Sequence, residues 1–136
     1  MRIFLDANVL FSAAKSDGAV RQLLSLLRAA GHECWIDDYV LVEAQRNLAT
    51  KAPQSLATLE LLVAKMPSDP TGVVSVAAED LQWLPEKDRP VLAAAIWRRC
   101  EALVTGDRKH FGTGYGKVFG GVTIHSPRSL AEALLR

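Results

Sequence analysis

Cysteine and histidine are scarce in this sequence, and neither is grouped in a way that would bind zinc. The two cysteines, Cys34 and Cys100, form neither a C-x-x-C pair nor a zinc-like spacing. The three histidines are scattered without an H-E-x-x-H motif, and His110 is expected at the surface. These absences argue against a disulfide scaffold and a zinc centre. Both cysteines are interpreted as small buried hydrophobes in a reducing compartment.

Long apolar runs and an excess of charge are also missing. No apolar run approaches the ~20 residues of a membrane span, and the sequence starts straight into a strand, with no basic and apolar signal segment. The net charge is only +1, so any contact with a nucleic acid must come from local placement of lysine and arginine. With 49% hydrophobic residues, the chain is expected to form one domain over residues 1–136, in the cytoplasm, with no membrane partner.

Strand and helix patterns alternate along the chain, which favours a parallel sheet sandwiched between helices. Ser16 or Asp17 is expected to cap the first long helix, Asp37 or Asp38 the second, and Ser126 the last. A loop or short helix is expected between the first strand and residue 14. The expected strands cover residues 2–5, 33–36, 73–76, 102–105 and 122–124, and the expected helices cover 17–30, 38–50, 53–66, 89–100 and 127–136.

Four acidic residues lie on four separate segments of this pattern. Asp6 and Asp107 each end an apolar strand, and Glu43 lies one turn into the helix after the second strand. Because ligands bind at the carboxyl edge of open α/β sheets, these three carboxylates are expected to converge there. Asp88 precedes the helix before the fourth strand, and its position depends on tertiary structure. Clustered carboxylates suggest a site for Mg²⁺ or Mn²⁺, hard cations that prefer oxygen ligands.

The ordered set of motifs resembles the PIN-domain nucleases, in particular the small stand-alone members that are toxin components. The resemblance covers nearly the whole chain and implies a three-layer α/β/α fold with a five-stranded parallel sheet in the order 3-2-1-4-5. One departure is Pro90, so close to Asp88 that it affects how that helix begins. The similar segments are MRIFLDANVL at 1–10, VEA at 42–44 with Leu48, DRPVLAAA at 88–95, LVTGD at 103–107 and VTIHSP at 122–127.

The resemblance also implies a divalent-metal nuclease that usually acts on RNA. In a two-metal scheme, one ion activates water and the other stabilises the leaving oxygen. Asp6 is assigned the central ligand role, and Glu43, Asp88 and Asp107 complete the cluster directly or through water. The chain is therefore interpreted as a metal-dependent endoribonuclease, the toxin of a toxin–antitoxin pair.

Several neighbours of these acids are assigned supporting roles. Asn8 and Thr105 are expected to orient the carboxylates by hydrogen bonding. Basic side chains close in sequence to the acids are expected to hold the phosphates on either side of the scissile bond. These basic residues are Arg46, Lys87, Arg89, Arg108 and Lys109.

Two kinds of protein partner are expected. The resemblance implies a small antitoxin whose extended segment crosses the acidic groove, where an arginine would pair with the carboxylates. Apolar helix faces beyond the needs of the core would serve a homodimer. Those faces carry Leu56, Leu59, Leu62 and Met66, or Leu130 and Leu134.

Two other functions remain open from the sequence. The first is a PIN fold that binds RNA or a partner without cutting it, against which the intact acid set argues. The second is an α/β phosphoacceptor or phosphatase in which Asp6 takes a phosphoryl group. A phosphatase of the haloacid-dehalogenase type requires a second Asp two residues after the first, and Asn8 occupies that position.

Overall fold

A sheet with helices on both sides forms the framework of the protein. The computed structural model describes residues 1–69 and 75–135. Within them no helix is long and apolar enough to cross a bilayer. The strands of the described part are β1 (Arg2–Leu5), β2 (Glu33–Asp37), β3 (Ser68–Asp69), β4 (Ala102–Val104), β5 (Val118–Phe119) and β6 (Val122–His125).

The helices follow the expected alternation with the strands. They are α1 (Ala7–Lys15), α2 (Ala19–Ala29), α3 (Asp38–Lys51), α4 (Leu56–Val63), α5 (Ala78–Leu81), α6 (Arg89–Trp97), α7 (Arg108–Phe111) and α8 (Pro127–Leu134). Short 3-10 turns precede α4 at Pro53–Ser55 and α6 at Glu86–Asp88, and a third follows α7 at Gly112–Gly114.

The sheet has the order β3-β2-β1-β4-β6-β5, with parallel pairing between all neighbours except β6 and β5. In β1, Ile3, Phe4 and Leu5 are fully buried, as expected for a strand covered on both faces. Leu5 pairs with Val104 in β4. The residues that follow these two strands therefore emerge side by side at the carboxyl edge of the sheet.

The expected α/β class and its five parallel strands are confirmed, but the sheet has a sixth strand. β5 lies in the segment between α7 and β6, which contains five glycines at 112, 114, 116, 120 and 121, and it pairs antiparallel with β6. The two strands are joined by Gly120 and Gly121, which have φ values of 55° and 84°. Two successive positive φ angles are what a tight two-residue hairpin requires, and glycine adopts them readily. A two-residue strand is too short to leave a pattern in the sequence.

The third strand is also displaced from its expected position. It is Ser68–Asp69, and Ser68 pairs with Ile36 of β2. Of the expected strand at 73–76, residues 73 and 74 lie outside the described residues, and Ser75 and Val76 are not in a strand. The helix expected over 53–66 is a 3-10 turn followed by α4, which already ends at Val63, and the chain pairs as a strand from Ser68 onward.

Some helix ends differ from expectation. Neither Ser16 nor Asp17 caps α2, whose N-cap is Gly18 without a side-chain hydrogen bond. Asp37 does cap α3, accepting from the backbone N–H of Val40 at 3.1 Å. The last helix is capped by Ser126 in a capping box, and it ends at Leu134 rather than at the chain end. The helix expected over 89–100 ends at Trp97.

Candidate active site

Asp6 is the buried anchor of the acidic cluster. It follows β1, caps α1 and is 5% exposed. Its Oδ1 accepts a hydrogen bond from the N–H of Ala7 at 2.8 Å. Its Oδ2 accepts from the Thr105 hydroxyl at 2.8 Å and from Asn8 Nδ2 at 3.2 Å. Three donors therefore orient this carboxylate, and two of them are the side chains expected to do so.

Thr105 and Asn8 tie the ends of β1 and β4 together. The hydroxyl of fully buried Thr105 also accepts from Asn8 Nδ2 at 3.3 Å and from the N–H of Asp107 at 3.2 Å. Asn8 Oδ1 accepts from the N–H of Gly106 at 2.8 Å. One hydroxyl provides one donor and two acceptor positions, and all three are used here. This network places Asp107 on the same edge as Asp6.

His110 joins Asp107 to Asp88. Asp107 caps α7, and its Oδ1 accepts from the N–H of His110 at 3.2 Å. The ring atom Nδ1 of His110 lies 2.9 Å from Asp107 Oδ2 and 2.9 Å from Asp88 Oδ2. Asp88 therefore lies in the cluster, a position that the sequence pattern did not predict.

The expected surface position of His110 is wrong, since its side chain is only 22% exposed and faces the acids. His110 is the third residue after the N-cap Asp107, and the side chain at this position turns back toward the cap, as in a capping box. The D-x-x-H spacing from Asp107 to His110 is the sequence signal that would have found it.

Glu43 lies at the rim of the cluster. Glu43 is exposed on α3. Asp37, at the end of β2, is the N-cap of this helix and fixes where it begins. Glu43 lines a cavity of about 340 Å³ with Asn8 and Asp107. It also lines a cavity of about 500 Å³ with Tyr39 and Asp88. Glu43 therefore lies between the cavity that contains Asp107 and the cavity that contains Asp88.

Two carboxyls of the cluster, those of Asp6 and Asp88, have raised pKa values. Burial raises the pKa of Asp6 from 3.8 to about 6, and the charges of Glu43 and Asp88 add to this, against the hydrogen bonds from Thr105 and Ala7. The pKa of Asp88 is likewise raised, first by burial and also by Asp107, although His110 and Lys87 oppose the shift. Both shifts come first from burial of the carboxyl, and repulsion from neighbouring carboxylates adds to them.

The charges of the acids also affect Tyr39, which lines the cavity next to Glu43 and Asp88. The pKa of its phenol is raised by burial first and then by the charges of Glu43, Asp88, Asp6 and Asp37. Its hydroxyl donates to the carbonyl of Lys87 at 2.6 Å, which joins the start of α3 to the turn that carries Asp88. Sequence reasoning missed this residue, because the contact spans two segments with no shared local pattern.

The donor atoms fit a divalent cation. Among the described residues, Asp88, Asp107 and His110 each offer one ligand atom, and these three atoms lie within 4.8 Å of one another. Asp88 Oδ2 and His110 Nδ1 are buried, and neither makes an aligned hydrogen bond to a described residue despite their close approach. Buried polar atoms without such a bond are costly unless a cation or water satisfies them.

The basic residues occupy three different places around the acids. Arg46 and Lys87 line the cavity of about 500 Å³ beside Glu43 and Asp88. Arg108 and Lys109 are exposed on α7, next to Asp107. The guanidinium of Arg89 instead donates to the carbonyls of Leu84 and Gln82, at 2.9 and 3.4 Å, and so braces the turn before α6.

Hydrogen bonds between strand ends hold Asp6 and Asp107 at one edge of the sheet, Asp88 and Glu43 lie beside them, and this set of carboxylates suits a divalent cation. The chain belongs to the PIN-domain family, whose sequence model matches residues 2–109 and includes all four acids. Proteins of this family are nucleases that use divalent metals. The resemblance drawn from the sequence motifs is confirmed.

Solved structures with the same fold include two complexes. One is the structure of VapBC2 from Rickettsia felis bound to a DNA fragment from its promoter. It matches with a TM-score of 0.64 and 18% identity, and the match covers 93% of this chain and 98% of that one. DNA-bound VapBC from Salmonella typhimurium matches with a TM-score of 0.66 and 16% identity over the same shares. At these identities the likeness concerns the fold. No match was found among curated proteins.

Proposed function

We propose that this protein is a divalent-metal-dependent endoribonuclease and the toxin of a toxin–antitoxin pair. The observation that carries the proposal is the hydrogen-bonded acid cluster at the carboxyl edge of the sheet in a PIN-domain chain. Asp6, Glu43, Asp88 and Asp107 form the ligand set, and residues 1–136 act as one domain. Four carboxylates favour Mg²⁺ or Mn²⁺ as the bound cation.

The protein's own contribution to the reaction is to position groups around the scissile phosphate. When bound, the metal supplies a water of lowered pKa and charge stabilisation for the phosphodiester. Thr105 and Asn8 hold the carboxylate of Asp6 in one orientation, so that little reorganisation is needed when the substrate binds. Tyr39 holds the turn that carries Asp88 against the start of α3.

RNA phosphates are proposed to bind to the exposed basic residues close to the acids. Arg46 and Lys87 line the cavity beside Glu43 and Asp88, and Arg108 and Lys109 are exposed next to Asp107 in the sequence. Phosphate contacts of this kind position a strand without reading its sequence. Arg89 is omitted from this set because its guanidinium is engaged with backbone carbonyls.

The antitoxin partner is proposed from the two VapBC complexes that share this fold. An extended antitoxin segment with an arginine over the acids would supply the positive charge that the cluster lacks. The protein is further proposed to be cytoplasmic and to form a homodimer through exposed apolar residues. Of the helix faces expected to serve the homodimer, Leu59 and Leu130 are buried in the core, whereas Leu61 on α4 and Trp97 on α6 are 71% and 56% exposed.

The phosphoacceptor alternative is not favoured by the position of Asp6. An attack on phosphorus requires the whole phosphoryl group to reach the carboxylate, whereas binding of a metal ion requires only one remaining lone pair of an oxygen. Both oxygens of Asp6 accept hydrogen bonds, and the residue is 5% exposed.

Cleavage of end-labelled RNA tests the proposal. We expect cleavage with Mg²⁺ or Mn²⁺, none with EDTA, and a loss of at least about 100-fold in Asp6→Asn. The matched control is Asp17→Asn, which changes an acid with 86% side-chain exposure on another part of the surface. Wild-type rates in Asp6→Asn, or cleavage that persists in EDTA after repurification, would contradict the proposal.

A further inference from the structure

We propose that His110 is a nitrogen ligand of the cation held by Asp88 and Asp107, so that the donor set of the site is mixed rather than oxygen-only. This inference rests on the proposed metal-dependent function and adds a ligand to it. It also changes the expected order of metal affinities.

The first support is the geometry of the three donor atoms. Nδ1 of His110 lies 2.9 Å from an oxygen of Asp88 and 2.9 Å from an oxygen of Asp107. Adjacent ligands of an octahedral ion with bonds of about 2.1 Å lie roughly 3 Å apart. Nδ1 is therefore spaced from each of the two oxygens as neighbouring ligands are, and the three atoms all lie within 4.8 Å of one another.

The second support is that the protein alone leaves these atoms poorly satisfied. Both carboxylate oxygens are acceptors, and Nδ1 carries at most one proton, which can point to only one of them. In the described part of the chain, neither Nδ1 nor Asp88 Oδ2 makes an aligned hydrogen bond, although both atoms are buried. A cation between the three atoms satisfies all of them at once.

The third support is that the ring of His110 is held in place. The N–H of His110 donates to Asp107 Oδ1, and the next residue, Phe111, is fully buried. Phe111 packs edge-on against Trp83, with ring centroids 6.1 Å apart. The short helix α7 is thus anchored on both sides of His110, which preorganises the imidazole toward the acids.

A nitrogen ligand has a measurable consequence for metal preference. Imidazole suits transition-metal ions, whereas Mg²⁺ prefers carboxylate, carbonyl and water oxygens. Replacing His110 with Gln should therefore lower the Mn²⁺ affinity by about 10-fold or more, and the Mg²⁺ affinity by much less. The matched control is His32→Gln, since His32 precedes β2 and so lies at the opposite edge of the sheet.

Electron spin-echo spectroscopy of the Mn²⁺-loaded protein tests the bond directly, because a coordinated nitrogen modulates the echo. We expect ¹⁴N modulation in the wild type and in His32→Gln, and none in His110→Gln. Uniform ¹⁵N labelling of the wild type should change the modulation frequency, and this readout does not depend on the folding of any variant. Calorimetric titration with Mn²⁺ and Mg²⁺ then gives the affinities.

The outcomes separate this inference from the proposed function. If Mn²⁺ binds the wild type without nitrogen modulation, the His110 assignment is overturned and the metal site stands. Equal or tighter Mn²⁺ binding in His110→Gln would overturn it as well, because His110 would then be a counter-ion that the metal displaces. If no divalent ion binds the wild type, both proposals fail.

Discussion

Replacing Asp6 with Asn should stabilise the metal-free protein at neutral pH while removing its response to metal. Burial, with repulsion from Glu43 and Asp88, raises the pKa of Asp6 from 3.8 to about 6. Between these two pH values the folded state holds more protons than the unfolded state, so the free energy of unfolding falls as pH rises. Above the folded pKa the full penalty is present, and a shift of about two units corresponds to about 3 kcal/mol.

The net gain from the substitution is smaller than this penalty. Asn preserves the shape of Asp6 and stays neutral at every pH, but its amide can face the wrong way. One of its two terminal atoms is an N–H₂ group, whereas both oxygens of Asp6 accept hydrogen bonds. A mispaired hydrogen bond costs about 1 kcal/mol. We therefore expect Asp6→Asn to be more stable than the wild type by roughly 1–2 kcal/mol above pH 6.5 in EDTA.

Urea unfolding from pH 4 to pH 8 measures this difference. In EDTA, the wild type should lose stability relative to Asp6→Asn as pH rises through the window from 3.8 to about 6. Millimolar Mn²⁺ should then stabilise the wild type by mass action and leave Asp6→Asn nearly unchanged. A constant difference between the two proteins across the window would refute the electrostatic reasoning. Equal stabilisation of both by Mn²⁺ would refute the role of Asp6 in metal binding.

Three further substitutions probe the surroundings of the site. Thr105→Val removes the hydroxyl donor to Asp6 and should weaken Mn²⁺ binding about 10-fold or more, measured by calorimetry. Tyr39→Phe removes the hydrogen bond to the Lys87 carbonyl; chemical denaturation should show a loss of about 1 kcal/mol, and cleavage should slow. Ser126→Ala breaks the capping box of α8 and should cost about 1 kcal/mol in the same assay, with the rate of RNA cleavage unchanged. A slowed rate in this last variant would mean that α8 takes part in the site.

Local sequence patterns were sufficient to predict a residue's position where that position depends only on the residue's own strand or helix. The apolar run before Asp6 predicts a buried strand, and its burial on both faces follows from that run. The same holds for the strand before Asp107. The alternation of strands with helices predicts parallel pairing, and parallel pairing brings these strand ends to one edge. The capping role of Asp37 also followed from its place before a helical pattern.

Other features depend on which distant segments pack together. Asp88 reaches the cluster because the turn before α6 is held to α3 by Tyr39 and to α7 by His110. Nothing in the residues next to Asp88 specifies either contact. Arg89 had the same local signal as the other basic residues, yet the fold of the preceding turn gives it backbone carbonyls to bind. For an exposed charged side chain, closeness to an acid in the sequence does not determine where the side chain points.

The two short strands of the sheet also could not be predicted from local sequence patterns. Ser68–Asp69 and Val118–Phe119 each have only two residues, too few for a periodic pattern. They are strands because β2 and β6 offer them unpaired backbone groups, which pairing satisfies. The sequence by itself therefore determined the central strands, the main helices and three of the acids, through hydrophobic pattern and caps. The tertiary structure alone decided the sheet edges, Asp88 and the orientation of His110, because these depend on contacts between segments far apart in the chain.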